Sequence, residues 1–263
     1  RRSIAKQTMF AGGAWRWTGY MPHHKKTLES TIAALAACRQ EDMRDVIVTS
    51  WSDDGSEAPF YTALFGVVLY AYLDYHADYV QEDFSQYLRL YTGMGFDEWM
   101  RQGEPDLFTG CSGKNYDITP SKYLLYQDPL CSKFLHYIRT LTTDMDTVYA
   151  KLEKDFAEDA TNTDNPLLQR INKFYSLMMK TLYYKWRLPL DIWEAYKKAD
   201  KKALQELIEK KIKPLRTVLD QTAKARRKIW TEECRGFGSE VLDHRFGAML
   251  MRLEVTQEIL TDY

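Results

Sequence analysis

The sequence predicts a short α/β segment followed by a long α-helical region. Residues 7–14 are typical of a strand that runs into a glycine bend, and Val46–Thr49 is a β-branched run of the kind found in buried parallel strands. The stretch between them has helical spacing, and a strand–helix–strand order predicts parallel pairing through a crossover helix. After Thr49 the β-branched runs stop, so the rest of the chain is expected to be almost entirely helical.

Two helices accompany the two strands. The first is predicted over Leu28–Cys38, because its apolar residues recur at helical spacing, and either Thr27 or Ser30 is expected to cap it. The second is predicted within the long apolar segment Pro59–Leu73. Each helix follows a strand, so residues 7–73 are expected to form two βα units in succession.

Capping residues, glycines and prolines divide the remainder of the chain into helices. Asp83 or Ser85 is expected to cap the first of them, and Gly93 is expected to close it. Pro189 is expected to break a long helix, whereas Pro214 is expected to kink a helix rather than end it. The first of these helices is predicted to extend through Tyr91, and the others span residues 98–102, 121–126, 140–160, 167–186, 192–199, 204–212, 215–233 and 246–263.

Composition excludes several classes of function. The chain has 36 basic and 37 acidic residues, and this near-balance argues against a nucleic-acid-binding protein. Its four cysteines are far apart and lack metal-ligand spacing, which favours free thiols in a reducing compartment, so a cytoplasmic location is expected. No apolar run reaches the ~18 residues that a membrane-spanning helix needs, and no membrane partner is expected. The first residue is Arg1 rather than methionine, which indicates a piece of a longer protein.

The polar loop after the second strand, residues 50–57, is the first candidate site. In α/β folds the chemistry lies on loops at the carboxyl ends of the strands. This loop holds one indole, Trp51, and three acids, Asp53, Asp54 and Glu57. A solvated acidic turn with no further role remains an equal alternative.

The loop after the first strand supplies two more aromatic candidates. Trp15 and Trp17 are separated by one residue, and they either line a pocket or pack on a neighbouring element. Gly12 and Gly13 just before them allow a sharp turn or the close approach of a ligand. Indoles beside carboxylates suit a carbohydrate, because sugar rings offer apolar C–H faces for stacking and hydroxyl groups for a carboxylate to bind.

No metal site and no cofactor are predicted. His23 and His24 are adjacent and are interpreted as ordinary surface histidines, and Asp74, His76 and Asp78 lack an evident fourth ligand. The sequence also lacks a GxSxG nucleophile elbow, a P-loop and a GxGxxG dinucleotide-binding motif. These absences leave the two strand-end loops as the candidates for function.

The same loops resemble a known enzyme family. The stretch Trp-Ser-Asp-Asp-Gly-x-Glu at residues 51–57 is similar to the last strand-end loop of the barrel in glycoside hydrolase family 20, the β-N-acetylhexosaminidases. Residues 11–22 resemble the preceding loop, and residues 120–130 and 236–247 resemble the bacterial branch that carries a large C-terminal helical domain. The resemblance therefore extends over nearly the whole chain.

This resemblance implies a fold and an activity. Residues 1–75 would be the C-terminal part of a (β/α)8 catalytic barrel, an α/β barrel remnant made of the last two βα units of a TIM barrel, and residues 76–263 a large α-helical C-terminal domain. The implied enzyme is an exo-acting β-N-acetylhexosaminidase that removes non-reducing terminal GlcNAc or GalNAc by substrate-assisted retaining hydrolysis. The family's catalytic Asp-Glu pair lies on an earlier strand, so this chain is expected to lack it and to be inactive alone.

The resemblance also implies roles for individual residues and partners. Trp51 lines the pocket around the 2-acetamido group, Asp53 binds the O4 and O6 hydroxyls of the terminal sugar, and Trp15 or Trp17 forms another wall. Glu57 completes the expected substrate-binding set. The expected partners are a terminal N-acetylhexosamine of a glycan, the N-terminal part of the same enzyme and a second copy in a homodimer. The competing hypothesis is a non-catalytic helical module for interaction or dimerisation.

Overall fold

Two short parallel strands form the sheet of the computed structural model. Strand β1 (Phe10–Gly13) pairs in parallel with β2 (Val46–Thr49), and Phe10 lies opposite Val46. The predicted strands and their parallel pairing are therefore confirmed. The prediction that β2 is buried is wrong for its first half, because Val46 and Ile47 are exposed. Within the described residues β1 is the one strand that pairs with β2, so the other edge of β2 is uncovered.

The structure describes residues 8–53, 55–107 and 119–263. These residues form two compact units, residues 8–107 and residues 119–263. The chain is mostly helical, as predicted. The boundary at residue 75, between the last part of a barrel and a helical domain, stays a prediction.

Helix α1 (His24–Gln40) connects the two strands. The predicted caps Thr27 and Ser30 are wrong, because the helix begins three residues before Thr27 and the N-cap position is His23. The Thr27 hydroxyl instead donates to the His23 carbonyl oxygen at 3.1 Å and accepts a hydrogen bond from the Trp15 amide at 2.9 Å. Thr27 therefore joins the first turn of α1 to the loop that follows β1.

The prediction of surface histidines is also wrong, because His23 and His24 are both buried. The imidazole of His24 lies 3.3 Å from the Gln102 amide oxygen, and its ring centroid lies 4.5 Å from that of Phe65 and 5.5 Å from that of Trp99. Burial lowers the pKa of His24 to about 3, so the imidazole is neutral at physiological pH. The two histidines thus belong to the core of the first unit.

Three further helices complete the first unit. A short 3₁₀ turn at Phe60–Ala63 leads into α2, so the predicted helix over 59–73 is present but begins later. Asp83 lies in the first turn of α3 rather than at its cap, whereas Gly93 closes α3 as predicted, with φ of 82°. The bounds are α2 (Leu64–Tyr75), α3 (Gln81–Thr92) and α4 (Phe96–Arg101), with a 3₁₀ turn at Glu104–Asp106.

The described residues of the second unit form helices that are joined by short turns and loops. Helix α8 is its centre, since α7 and α11 both pack against it, and α12 packs on α11. Asp144 caps α7, and Asn165 caps α8 just before Pro166. The bounds are α5 (Pro120–Tyr126), α6 (Leu135–Thr140), α7 (Met145–Asn162), α8 (Pro166–Lys185), α9 (Leu188–Lys197), α10 (Lys201–Leu207), α11 (Lys213–Glu233) and α12 (Ser239–Asp262).

Helix bounds in the second unit differ from the predictions at several places. Helix α6 was not predicted, and α7 begins at Met145 rather than at residue 140. Pro189 lies in the first turn of α9, where a proline is well tolerated, so it begins a helix after the break. A π-helical turn at Ile208–Ile212 joins α10 to α11, so the chain remains helical through Pro214. Helix α12 begins at Ser239, seven residues before the predicted start at Phe246.

Candidate functional site

The loops that follow the two strands lie at the same edge of the sheet. Parallel pairing places the carboxyl ends of β1 and β2 together, and the Ala14 amide donates to the Thr49 carbonyl oxygen at 2.8 Å just beyond the paired residues. In α/β folds this edge is where ligands bind. The two loops that hold the predicted site residues therefore begin at the same edge of the sheet, as expected.

Arg16 connects these two loops through its guanidinium group. Its Nε donates to the Ser50 hydroxyl at 3.0 Å, and its Nη2 donates to the Ser52 hydroxyl at 2.7 Å. Its Nη1 donates both to the Ser56 hydroxyl and to the Ala58 carbonyl oxygen, each at 3.0 Å. Arg16 is 1% exposed, so it is a buried clamp that fixes the second loop at four points along its length.

The sequence analysis did not identify Arg16 as a site residue. The carbon at the centre of its guanidinium also lies 4.6 Å from the centre of the Phe60 ring, so the cation has an aromatic contact in addition to its hydrogen bonds. The available signal was an arginine between two indoles and a second loop rich in serine. That signal is weak, because the partners lie 34 to 42 residues away in the chain.

The backbone of the second loop contains a tight turn. The Gly55 amide donates to the Ser52 carbonyl oxygen at 3.2 Å, and Gly55 has a positive φ of 76°, which suits glycine. Ser56 also has a positive φ, 54°, which costs a residue with a side chain about 1 kcal/mol. The Arg16–Ser56 hydrogen bond helps to hold this strained conformation. Asp54 lies outside the described residues.

Trp51 presents its indole to solvent in a fixed orientation. Its Nε1 donates to the Thr49 hydroxyl at 3.1 Å, and that hydroxyl donates to the Gly12 carbonyl oxygen at 3.1 Å. The side chain nevertheless remains 54% exposed. A large aromatic ring that is both anchored and exposed can stack on a ligand.

The two acids of this loop that the structure describes have different environments. Asp53 is exposed, so its carboxylate is accessible from solvent. Glu57 is buried, and it lies between Ser56 and Ala58, which both accept hydrogen bonds from Arg16. Asp53 is therefore the acid that a ligand in solution can reach directly, and a direct contact of Glu57 with substrate stays a prediction.

Trp15 and Trp17 form a stacked pair in the first loop. Their ring centroids lie 4.3 Å apart with an interplanar angle of 29°, and the Lys26 ammonium lies 3.3 Å from the centre of the Trp15 ring. A Cβ atom at Gly13 would lie 2.6 Å from the Trp17 ring, so the glycine makes room for this indole. Both indoles are half-buried, so packing accounts for part of each ring.

The structure also allows a search for a metal site and for a membrane-spanning helix. Among residues 8–53, 55–107 and 119–263, no group of three or more His, Cys, Asp or Glu residues could hold a metal ion. Over the same ranges, none of the helices combines the length and the apolar character needed to cross a bilayer. Cys38 and Cys131 are free thiols, Cys234 is exposed, and Cys111 lies outside the described residues.

Comparison with known protein families gives a match to the helical part of the chain. Residues 97–263 match the family model for the Glycoside Hydrolase 20C C-terminal domain. No curated protein matches the chain. The matched region covers more than half of the chain and extends from α4 to the last residue.

Proposed function

Because the chain belongs to the glycoside hydrolase 20C C-terminal domain family, we propose that it is the C-terminal part of an exo-acting β-N-acetylhexosaminidase. The enzyme removes terminal GlcNAc or GalNAc from the non-reducing ends of glycans. The observation that carries this proposal is the Arg16 clamp, which joins a loop with two stacked indoles to a loop with an exposed indole and an exposed acid. Both loops lie at the edge of the sheet where such folds bind ligands.

The proposed origin of the sheet is the end of a catalytic barrel. Residues 1–75 are its last two βα units, and the N-terminal part of the same enzyme supplies the other strands. The uncovered edge of β2 supports this assignment, because a closed barrel leaves no edge unpaired. A cavity of about 700 Å³ also lies beside β2, lined in part by Leu35, Val46, Val48 and Tyr70. Apolar side chains at an open strand edge are suited to packing against further barrel elements.

The proposed mechanism is substrate-assisted hydrolysis with retention. The oxygen of the substrate's 2-acetamido group attacks the anomeric carbon, while an acid protonates the departing glycosidic oxygen, and water then opens the cyclic intermediate. In this proposal the acid is a Glu, and the Asp that orients the acetamide lies beside it, both in the N-terminal part of the enzyme. This chain contributes binding rather than proton transfer.

Trp51 and Asp53 have complementary roles in this proposal. The exposed face of Trp51 packs on the acetamide and excludes water from the attacking oxygen. The Asp53 carboxylate accepts hydrogen bonds from the O4 and O6 hydroxyls, which selects a terminal sugar because an internal residue lacks a free hydroxyl at a linkage position. The indole of Trp15 or Trp17 forms another wall of the pocket, and a buried Glu57 supports the loop from within.

We expect Asp53→Ala to weaken substrate capture far more than Asp54→Ala in the enzyme that contains this chain. A hydrogen bond from a ligand to a charged group contributes about 1.5–3 kcal/mol, so kcat/KM should fall about 10- to 150-fold for the Asp53 variant. Asp54 is the matched control, because it is the same residue type at the next position. Steady-state kinetics on a chromogenic N-acetylglucosaminide provides the measurement, and equal losses in the two variants would refute the assignment.

The competing function is an interaction or dimerisation module without sugar binding. Exposed aromatic residues in the second unit, including Trp193, Tyr196 and Phe237, favour it as the second candidate. Titration of the chain with N-acetylglucosamine separates the two hypotheses, since burial of Trp51 by a sugar changes indole fluorescence. A Trp51→Phe variant identifies which indole reports the change, and a homodimer is compatible with either function.

A further inference from the structure

A chain of two hydrogen bonds ties the Trp51 indole to the backbone of β1. The indole Nε1–H donates to the Thr49 hydroxyl oxygen at 3.1 Å, and that oxygen lies 3.1 Å from the Gly12 carbonyl oxygen. An indole is a donor only, so Thr49 accepts in the first contact and its own O–H is left to donate in the second. The direction of both hydrogen bonds is therefore fixed.

The acceptor at the end of this chain lies in a closely packed part of β1. A Cβ atom at Gly12 would collide with the Tyr70 hydroxyl oxygen, and it would lie 2.7 Å from the Phe10 ring. Tyr70 belongs to α2 and is buried. Side chains of the protein thus take the space that this glycine leaves open, and they hold the Gly12 carbonyl group in place.

Thr49 has both properties that its position requires. It is the last residue of β2, where a β-branched side chain is favourable, and its hydroxyl reaches the neighbouring strand as well as the indole two residues later. Valine has the same branched shape but cannot form either hydrogen bond. Serine can form both but lacks the second branch.

Trp51 depends on this hydrogen bond for its orientation. Over the ranges that the structure describes, the bond to Thr49 is the one polar contact of the Trp51 side chain, which is 54% exposed. A side chain that is more than half exposed has little packing to restrict its two torsion angles. The hydrogen bond therefore selects the face that the ring presents to a ligand.

We propose that Thr49 is a positioning residue that sets the selectivity of the sugar site for an N-acetyl group. This role rests on the proposed function, in which Trp51 packs on the 2-acetamido group. A ring tied to the backbone of β1 is a fixed wall, and a fixed wall excludes an acyl group longer than acetyl. A ring that can turn admits the longer group and holds the acetamide less firmly for attack.

General magnitudes set the size of the expected effect. One extra methylene in an apolar pocket changes discrimination between substrates by about 10- to 200-fold. A hydrogen bond between neutral groups has a smaller effect, about 2- to 10-fold in an equilibrium constant. Loss of the Thr49 hydroxyl should therefore reduce the selectivity without abolishing it, because the ring itself remains.

Kinetics of the enzyme that contains this chain test the role with two chromogenic substrates, an N-acetylglucosaminide and an N-propanoylglucosaminide. For Thr49→Val we expect kcat/KM to fall about 2- to 10-fold on the N-acetyl substrate and to change little on the N-propanoyl substrate. The ratio of the two values, which measures selectivity, should fall accordingly. Thr49→Ser is the matched variant, because it keeps the hydroxyl, and it should retain most of the wild-type ratio.

A double-mutant cycle shows whether Thr49 acts through Trp51. Phenylalanine at position 51 keeps an aromatic ring but has no N–H, so Trp51→Phe removes the same hydrogen bond from the other side and should itself lower the selectivity ratio. Thr49→Val should then change kcat/KM of the Trp51→Phe enzyme much less than that of the wild type. An effect of equal size in both backgrounds would show that Thr49 acts on the fold rather than through the indole.

Nuclear magnetic resonance of the isotope-labelled whole chain gives a readout that does not require activity. Each tryptophan gives an indole N–H signal, and the signal that is missing from Trp51→Phe belongs to Trp51. In Thr49→Val this signal should move towards that of a water-exposed indole, and its proton should exchange faster with solvent. Backbone amides of β1 and β2 should keep their protection, which separates loss of the side-chain hydrogen bond from loss of the strands.

The outcomes distinguish failure of the Thr49 role from failure of the proposed function. Equal losses on both substrates in Thr49→Val, or an unchanged Trp51 indole signal, would overturn the role of Thr49 alone. If Thr49→Val does not fold, an unchanged selectivity ratio in Trp51→Phe would overturn it. Hydrolysis of neither substrate by the wild-type enzyme would refute the proposed function and the role of Thr49 together.

Discussion

Arg16→Met is expected to destabilise the first unit by about 3–5 kcal/mol, the largest loss of stability for a single substitution in the strand-end loops. The variant loses four hydrogen bonds from one charged group, and bonds of this kind contribute about 1.5–3 kcal/mol each without being additive. It also leaves the buried Ala58 carbonyl oxygen without its guanidinium donor, and Ser56 without a contact that supports its strained backbone.

Urea unfolding measures the loss in the free energy of unfolding, and hydrogen exchange shows which unit has lost stability. Amides of residues 46–58 should exchange faster in Arg16→Met, whereas those of α8 should keep their protection. Arg44→Met is the control, because Arg44 is an exposed arginine of the same unit that forms an exposed ion pair with Asp42, and its loss should cost less than about 0.5 kcal/mol. Similar losses in both variants would show that Arg16 does not act as a clamp.

An Arg16→Lys variant separates charge from geometry. Lysine keeps the positive charge, but it has a single ammonium in place of a planar fork and cannot donate to four oxygens spread along the loop. We expect a stability between those of wild type and Arg16→Met. In the proposed enzyme it should also reduce kcat/KM, since Trp51 and Asp53 would lose the fixed position that substrate binding requires.

Local sequence predicted the strands better than it predicted the helix starts. The bounds of β2 follow directly from the run of β-branched residues at Val46–Thr49. The start of α1 did not follow from its residues, because Thr27 has the side chain of a good cap but its hydroxyl oxygen accepts a hydrogen bond from a backbone amide twelve residues earlier. A side chain caps a helix by a local hydrogen bond to a backbone amide of the first turn. A group from another element can compete for the same side chain and prevent the cap from forming.

The residues of the candidate site also differ in whether local sequence or contacts between distant residues determine their role. Trp51 and Asp53 could be placed on a strand-end loop from sequence alone, because the strand and the turn residues lie next to each other. Arg16 could not, since its role depends on the parallel pairing that brings the serines of the second loop to it. Burial is equally non-local, and it gives Asp53 and Glu57 opposite environments although they lie four residues apart.

The helix before Pro214 has an irregular turn whose form the sequence pattern does not predict. Proline has no N–H group to donate to the carbonyl four residues before it, here that of Lys210. The chain forms a wider π-helical turn at Ile208–Ile212, which includes that carbonyl, and α11 continues from Lys213. The rule that proline kinks or ends a helix predicted the position of the irregularity but not its form.

The chain by itself is expected not to hydrolyse a chromogenic N-acetylglucosaminide. In the proposed enzyme Trp51 and Asp53 supply binding, but protonation of the leaving oxygen requires a positioned acid, which contributes roughly 10²–10⁴-fold to the rate. The acetamide also needs its orienting Asp, and both groups are proposed to lie in the N-terminal part. Adding that part in separate form should restore turnover, because the uncovered edge of β2 provides a pairing surface for it.

Release of the chromophore from a monodisperse sample of the 263-residue chain tests this expectation. The same sample should still bind N-acetylglucosamine weakly through Trp51, so loss of catalysis is distinguished from loss of folding. Turnover by the chain alone would place the acid within it. Glu57 and Asp54 would then be the first residues to replace, because both are carboxyl groups in the loop that holds the proposed sugar site.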